Sequence, residues 1–322
     1  MNLENHTTSP TIQRIYQDYK DSEWKGKGPR MGASALGKKC ERATWLAFRW
    51  AWSTKFDGRL LRLFGYGHRA EDHMIAELRK AGCDVWDRDP EKPNKQISLE
   101  ALGGHFVCKP DGVVKGLAEA PNTAHALEIK GMNDKNFKAW KAKGVAVSHP
   151  HYWVQCQIEM HLLGLDRCFF FVENKNTSEL WAERLEYDKA EALKIMAKAE
   201  RLIFSDKPPE RLSNDPSYFE CKFCDYFAVC QGCKIPEVTC RSCVHATPER
   251  KGGWSCRLGQ DATAPCKDHL FIPDIMPKDL VVEDAGDDWV SYIDQDTGEE
   301  IRNAGNSQEL HDSRRQREIG FN

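Results

Sequence analysis

KPDGVVKGLAEAPNTAHALEIKG, residues 109–131, decides how the chain is read. Pro110-Asp111-Gly112 sets a carboxylate between two turn-prone residues. Glu128-Ile129-Lys130 sets an acid and an amine two positions apart in an apolar run. In a strand, residues i and i+2 share a face, so Glu128 and Lys130 project together while Ile129 enters the opposite, apolar layer. A neighbouring strand that delivers Asp111 to the same face gathers two carboxylates able to hold a hard divalent cation through oxygen. The lysine beside them is a fixed positive charge, suited to orienting a water and stabilising charge that builds on a phosphate.

Working outward, CDVWDRD (83–89), KQISLEA (95–101), HFVCKPDGVV (105–114) and HALEIKG (125–131) read as strands separated by Gly, Pro and Asn turns. RCFFFVEN and ELWAERLEY read as a hairpin. Helical patterns cover 65–81, ended by Gly82, then 149–164 and 188–204. The stretch from Thr8 to about Trp52 is also helical, with a Gly/Pro break at 26–30 and apolar spacing over 34–50. This order predicts an α/β fold, a mixed sheet flanked by helices. At 322 residues, with 40% hydrophobic and 30% charged residues, the chain can bury one sizeable core plus appendages.

These phrases resemble the PD-(D/E)XK nuclease superfamily, whose signature stands here as Pro110-Asp111 and Glu128-Ile129-Lys130. His68 with Asp72 four residues on is similar to the H-x-x-x-(D/E) of RecB-type nuclease domains, and Gln157 falls where that group carries Q-x-x-x-Y. His161 stands in the tyrosine position, leaving Tyr152 as the candidate aromatic contact. The resemblance spans about residues 33–233 and implies a restriction-endonuclease-like sheet. It implies a Mg²⁺ or Mn²⁺ ion held by His68, Asp111, Glu128 and the main-chain carbonyl of Ile129. Lys130 is then expected to position the water, and Gln157 to orient the lysine or the substrate.

Thirteen cysteines are many for such a chain, and their close pairing reads as metal ligation rather than a disulfide frame. Cys221, Cys224 and Cys230 follow the core and Cys40 precedes it. In RecB-like exonucleases, cysteines so placed bind a four-iron, four-sulfur cluster, which the resemblance implies here; zinc, which also takes four thiolates, is the alternative. Cys233 is a spare. Cys240, Cys243, Cys256 and Cys266 read as a zinc ribbon, with His269 an alternative fourth ligand and His245 solvated. Cys83, Cys108, Cys156 and Cys168 sit among apolar residues and read as core packing.

The expected division is 1–235 for the core with its cysteine clasp, 236–272 for the zinc-ribbon-like module, and 273–322 for an acidic hairpin and unstructured end. Residues 281–322 hold eleven acids against four arginines, leaving the rest mildly basic. In 133–144, Lys135, Lys138 and Lys141 interleave with Phe137 and Trp140, which predicts phosphate contact and base stacking with DNA, single-stranded ends included. The acidic tail is a candidate protein contact. No apolar run reaches membrane-spanning length and MNLENHTTSP lacks the regions of a signal peptide, so the expected compartment is the cytoplasm, that of the host if the chain is phage-encoded. The expected activity is a metal-dependent DNA exonuclease of recombination, repair or phage replication. A non-catalytic DNA-binding scaffold of the same fold, or an endonuclease, is the alternative.

Overall fold

The computed structural model describes residues 9–23, 28 and 30–319, with side chains through 313. The reading of residues 1–8, and most of the predicted break at 26–30, lie outside the described residues. Five strands form the main sheet in spatial order: β1 (Asp84–Trp86), β2 (Gly112–Lys115), β3 (His125–Met132), β4 (Arg167–Asn174) and β5 (Leu180–Glu186). Only β3 and β4 run parallel; the other pairs are antiparallel. A parallel pair needs a crossover, here built from α4 (Asp134–Lys143) and α5 (Pro150–Leu163). Before them come α1 (Pro10–Asp21), α2 (Glu41–Phe48) and α3 (Gly58–Lys80), and α6 (Lys189–Phe204) follows the sheet.

The alternation of β3 sorts the two layers. Leu127 and Ile129 pack with Met74, Ile75 and Leu78 of α3, and with Phe169 and Phe171 of β4. Ala126 and Met132 pack on the other side, with Phe137 and Trp140 of α4 and with Cys156 and Met160 of α5. Glu128 and Lys130 share that second side with α5. Each large apolar side chain so buried contributes about 1.5–3 kcal/mol.

Three expectations are corrected. The segment 105–114 is not one strand. Phe106–Cys108 pairs with Leu99–Ala101 and, in parallel, with Met31–Gly32 in a separate sheet, while Gly112–Lys115 joins the main one. Pro110, with no N–H to give a ladder, marks the crossing, and Asp111 stands where the chain changes sheets. Helix α3 begins at 58, not 65, because the Asp57 carboxylate caps it by accepting the Leu60 N–H at 2.7 Å. The polar C-terminal end is a helix, α7 (Ser307–Ile319). Its Leu310 joins a cluster with Phe271 and Tyr292, and Ser307 Oγ donates to the His269 carbonyl at 2.7 Å.

The C-terminal third adds a hairpin, Ala246–Pro248 with Trp254–Cys256, and an antiparallel sheet of Leu280–Ala285, Val290–Asp294 and Glu300–Asn303. The hairpin turns through Gly252 and Gly253, both at positive φ (101° and 77°), where a side chain would be strained. This third shares its core with the rest: Ile272 and Ile275 pack with Trp45, Leu46 and Phe48. Arg49, 1% exposed, donates to Ala246 O at 3.0 Å and Ser205 O at 2.9 Å, stacked between Trp45 and Trp254. Arg241 lies 3.9 Å from the Trp50 ring and 4.5 Å from Trp254, and donates to Phe48 O. Among the described residues no helix is long and apolar enough to cross a membrane.

Candidate active site

Asp111 and the Glu128–Lys130 segment meet at the start of β2. Gly112 is the first residue of β2 to pair with β3, so beyond that pair Ile129 N–H has no strand partner on this side. Asp111 Oδ2 accepts it at 2.7 Å, which fixes the carboxylate against the strand. Glu128 is completely buried and forms an ion pair with Lys130. Lys130 Nζ also donates to the Ile129 carbonyl at 3.0 Å and lies 5.6 Å from the Tyr152 ring centre. Burial raises the Asp111 carboxyl well above its usual range, as does the charge of Glu128, against the lowering effect of Lys130. Burial alone would lower the Lys130 ammonium, but Glu128 and Asp111 outweigh it and hold it above its usual value.

Asp111 also lines a groove of about 200 Å³ together with His68, Glu71, Asp72 and Asp87. His68 Nδ1 lies 3.4 Å from Glu71 Oε2, and its side chain is 79% exposed at the rim. Glu71 adds to the upward push on Asp111, whereas Asp72 faces Arg88 at 3.4 Å. The sequence reading singled out His68 with Asp72, four residues on; Asp72 lines the groove, and so does Glu71, three residues on, which is the one of the two whose charge acts on Asp111. A second acid missed was Glu159 of α5, fully buried, whose carboxyl is pushed well up by burial and then by Glu128. Gln155 Nε2 donates to it at 2.9 Å, while its Oε2 has no geometric partner. Its signal was a carboxylate between two core residues, Ile158 and Met160. Ligand atoms of Cys156, Glu159 and Cys168 lie within 4.8 Å of one another, and both thiols are fully buried in the core cluster around α5, as their apolar neighbours in sequence led one to expect.

Gln157 does not join the site. Its amide is spent on the β5–α6 turn, Nε2 donating to Glu186 O at 2.9 Å and Oε1 accepting Asp188 N–H at 2.8 Å. His161 turns to the Tyr187 hydroxyl, 2.7 Å away. Of the expected DNA contacts on α4, Trp140 is corrected. Trp140 is 1% exposed, with its indole N–H on Glu183 at 2.7 Å, so no base can stack on it. Phe137 and Trp140, three apart, are the buried face of the helix. Lys138 pairs with Asp134 at 2.7 Å, and Lys141 pairs with Glu179 at 2.6 Å over the Trp181 ring. Lys135 is exposed.

Two cysteine sets converge elsewhere. Cys40, at the N-terminus of α2, shares a cavity of about 20 Å³ with Cys221, Cys224 and Cys230, lined also by Ala43 and Leu46. Burial raises the Cys224 thiol, with Cys40 and Cys230 adding to it; Cys233 is exposed. Cys240, Cys243, Cys256 and Cys266 line a second cavity with His245 and His269. Burial and the neighbouring thiols push Cys240 up to about 11. His245 is not solvated: it is 3% exposed and accepts from Arg257 Nε at 2.5 Å, covered by the hairpin that carries Cys256. His269 Nε2 lies 2.9 Å from Thr239 O, and burial lowers its pKa to about 4.

No family model and no curated protein matches the chain. Solved structures do. SSO0001 is 15% identical at TM-score 0.40, over 68% of this chain and 96% of that one. An alkaline exonuclease (LHK-Exo) from Laribacter hongkongensis is 18% identical at TM-score 0.38, over 58% and 90%. LHK-Exo in complex with dAMP is 16% identical at TM-score 0.37, over 59% and 90%. At these identities and TM-scores the chemistry rests on the chain's own residues.

Proposed function

We propose that the chain is a divalent-cation-dependent deoxyribonuclease of the PD-(D/E)XK type that degrades DNA from ends. The observation that carries this is the Asp111 carboxylate bonded to the Ile129 N–H beside the buried Glu128–Lys130 pair, at the edge of an acidic groove. The donor set fits Mg²⁺ or Mn²⁺. Glu128 Oε2 is buried without a hydrogen-bond partner, and three carboxylates, Asp111, Glu128 and Glu159, surround a single lysine, an excess of acid that a hard cation neutralises. Asp111, Glu128 and the Ile129 carbonyl would hold the ion, with His68 or Glu71 supplied from α3. Once bound, it supplies a Lewis acid and a more acidic water.

The chain's residues do the positioning. The Asp111–Ile129 bond holds one carboxylate at a set height on the strand. Lys130 carries a permanent positive charge to the place where negative charge builds on the phosphate, and aims a water by hydrogen bonding. Tyr152 keeps the ammonium from swinging away from β3. The reading includes a four-iron, four-sulfur cluster, with zinc as the alternative, on Cys40, Cys221, Cys224 and Cys230, and zinc on Cys240, Cys243, Cys256 and Cys266. Work in recombination, repair or phage replication, in the cytoplasm, fits such an enzyme.

The test uses purified protein with end-labelled linear DNA and closed circles in Mn²⁺. Linear DNA should shorten progressively while circles persist; discrete fragments from circles would make it an endonuclease. Asp111→Ala and Lys130→Ala should each slow cleavage on the order of 10²–10³-fold. Parental rates in either variant, or DNA binding with no turnover in any divalent cation, would falsify the assignment.

A further inference from the structure

Glu159, the buried acid of α5, stands against the carboxyl of Glu128. The first turn of its helix already belongs to the site, since Tyr152 lies beside the Lys130 ammonium. Helix positions three and four apart share a face, and both earlier neighbours of Glu159 at that spacing touch it. Gln155 Nε2 donates to its Oε1 at 2.9 Å. The Cys156 thiol, with that of Cys168 on β4, lies within 4.8 Å of a carboxylate oxygen. One oxygen of Glu159 is therefore steered by a donor, and the other is left over.

That leftover oxygen is costly. Oε2 of Glu159 and Oε2 of Glu128 are both enclosed without a hydrogen-bond partner. Among the charges acting on Glu159, that of Glu128 is the largest, and that of Asp111 also reaches it. Lys130 is already engaged by Glu128 and by the Ile129 carbonyl. Burial keeps the Cys156 and Cys168 thiols neutral, so they bring no compensating charge. Two carboxyls that face each other out of reach of water need a proton or a cation between them. An apolar residue, such as the adjoining Ile158 or Met160, would fill the same space without that demand.

We propose that Glu159 is a further carboxylate ligand of the divalent cation, offered from α5 alongside Glu128. The inference rests on the nuclease reading and adds a helix-borne ligand to the strand-borne set of Asp111, Glu128 and the Ile129 carbonyl. Gln155 fixes the rotation of the Glu159 carboxylate by holding Oε1, which leaves Oε2 for the ion. Every donor in the enlarged set is an oxygen, and each added carboxylate tightens the hold on a hard cation. The helix and the strand then answer to the same ion, so its binding also ties α5 to β3.

The experiment follows Mn²⁺ uptake by the intact protein through the electron paramagnetic resonance of the free ion. Beside it are measured the Mn²⁺ dependence of DNA cleavage and thermal melts without added divalent cation. Thiolate sites favour softer metals, so Mn²⁺ reports on the oxygen site. Glu159→Gln keeps the size of the side chain and removes its charge. It should weaken Mn²⁺ uptake and raise the half-saturating Mn²⁺ for cleavage, each on the order of 10-fold, while the cation-free protein melts at or above the parent. Gln155→Ala, which loosens Oε1, should move both readings the same way by less, and it decides alone if Glu159→Gln does not fold. Uptake and half-saturation equal to the parent's would overturn the inference and leave the nuclease reading standing, with the two glutamates sharing a proton instead. A lower melt with unchanged Mn²⁺ dependence would likewise reduce Glu159 to a packing residue. A parent that cleaves DNA at no Mn²⁺ concentration would remove the nuclease reading, and this inference with it.

Discussion

Gln157 shows how one amide can be mistaken for another role. A glutamine on the helix after the Glu-x-Lys strand has a motif's spacing, yet both ends of its side chain pair with main chain at Glu186 and Asp188. Gln157→Ala should leave a buried N–H and C=O unpaired and cost about 1–3 kcal/mol. Denaturant unfolding would measure that loss, and cleavage per folded molecule should stay near parental; a large fall in turnover with unchanged stability would restore a role in the site. Glu128 and Lys130 were readable because a strand's period of two leaves one choice of face, and Asp111 because Pro110 and Gly112 mark the turn that carries it. Glu71 and Glu159 were not, because a helix offers several faces and the partner that selects one lies far off in sequence. Glu159 is chosen by β3 and Glu71 by Asp111.

At the level of elements, the two sheets that part at Pro110 were hidden for a related reason. Both halves of 105–114 have strand composition, and only pairing partners as distant as Met31 separate them. The aromatics of α4 failed as DNA contacts because spacing of three serves a buried face as well as an exposed one. The hairpin, α5 and α6 were legible from length, period and end residues, such as Gly164 in the left-handed region at φ 67° and Asp188 capping α6. The segment from Cys266 to Ile272 ties the stretch Ser242–Val244 to α7, and His269 is its polar centre. Its folded pKa of about 4 lies below the unfolded 6.5, so the unfolded state takes up the proton first as pH falls. This contribution is complete above pH 6.5 and is lost as pH falls toward 4, at most about 3 kcal/mol. Thermal melts of the parent should show that decline, and His269→Gln should flatten it; equal slopes would remove His269 as its cause.

For the molecule as a whole, the proposed cluster would join residue 40 to residue 221, whose thiols line one cavity, and so enclose the entire sheet. Closing a loop of 181 residues removes unfolded-state entropy worth on the order of 5 kcal/mol by the disulfide estimate. Cys40→Ser should therefore bleach any brown colour of anaerobically prepared protein and lower its melting temperature sharply; colourless parental protein carrying two zincs would replace iron with zinc at this site. The pairing of Cys40 with the later thiols was readable through family likeness, but the interlock of the last third was not. That interlock rests on Arg49 and Arg241, whose guanidinium groups share Trp254 across the boundary at 235. A gene shortened at that boundary would produce a protein with a stranded buried cation and bare aromatic rings, prone to clump before it could act. Head and tail of this chain therefore have to travel together, and any swap of its last third must carry the arginine–tryptophan lock with it.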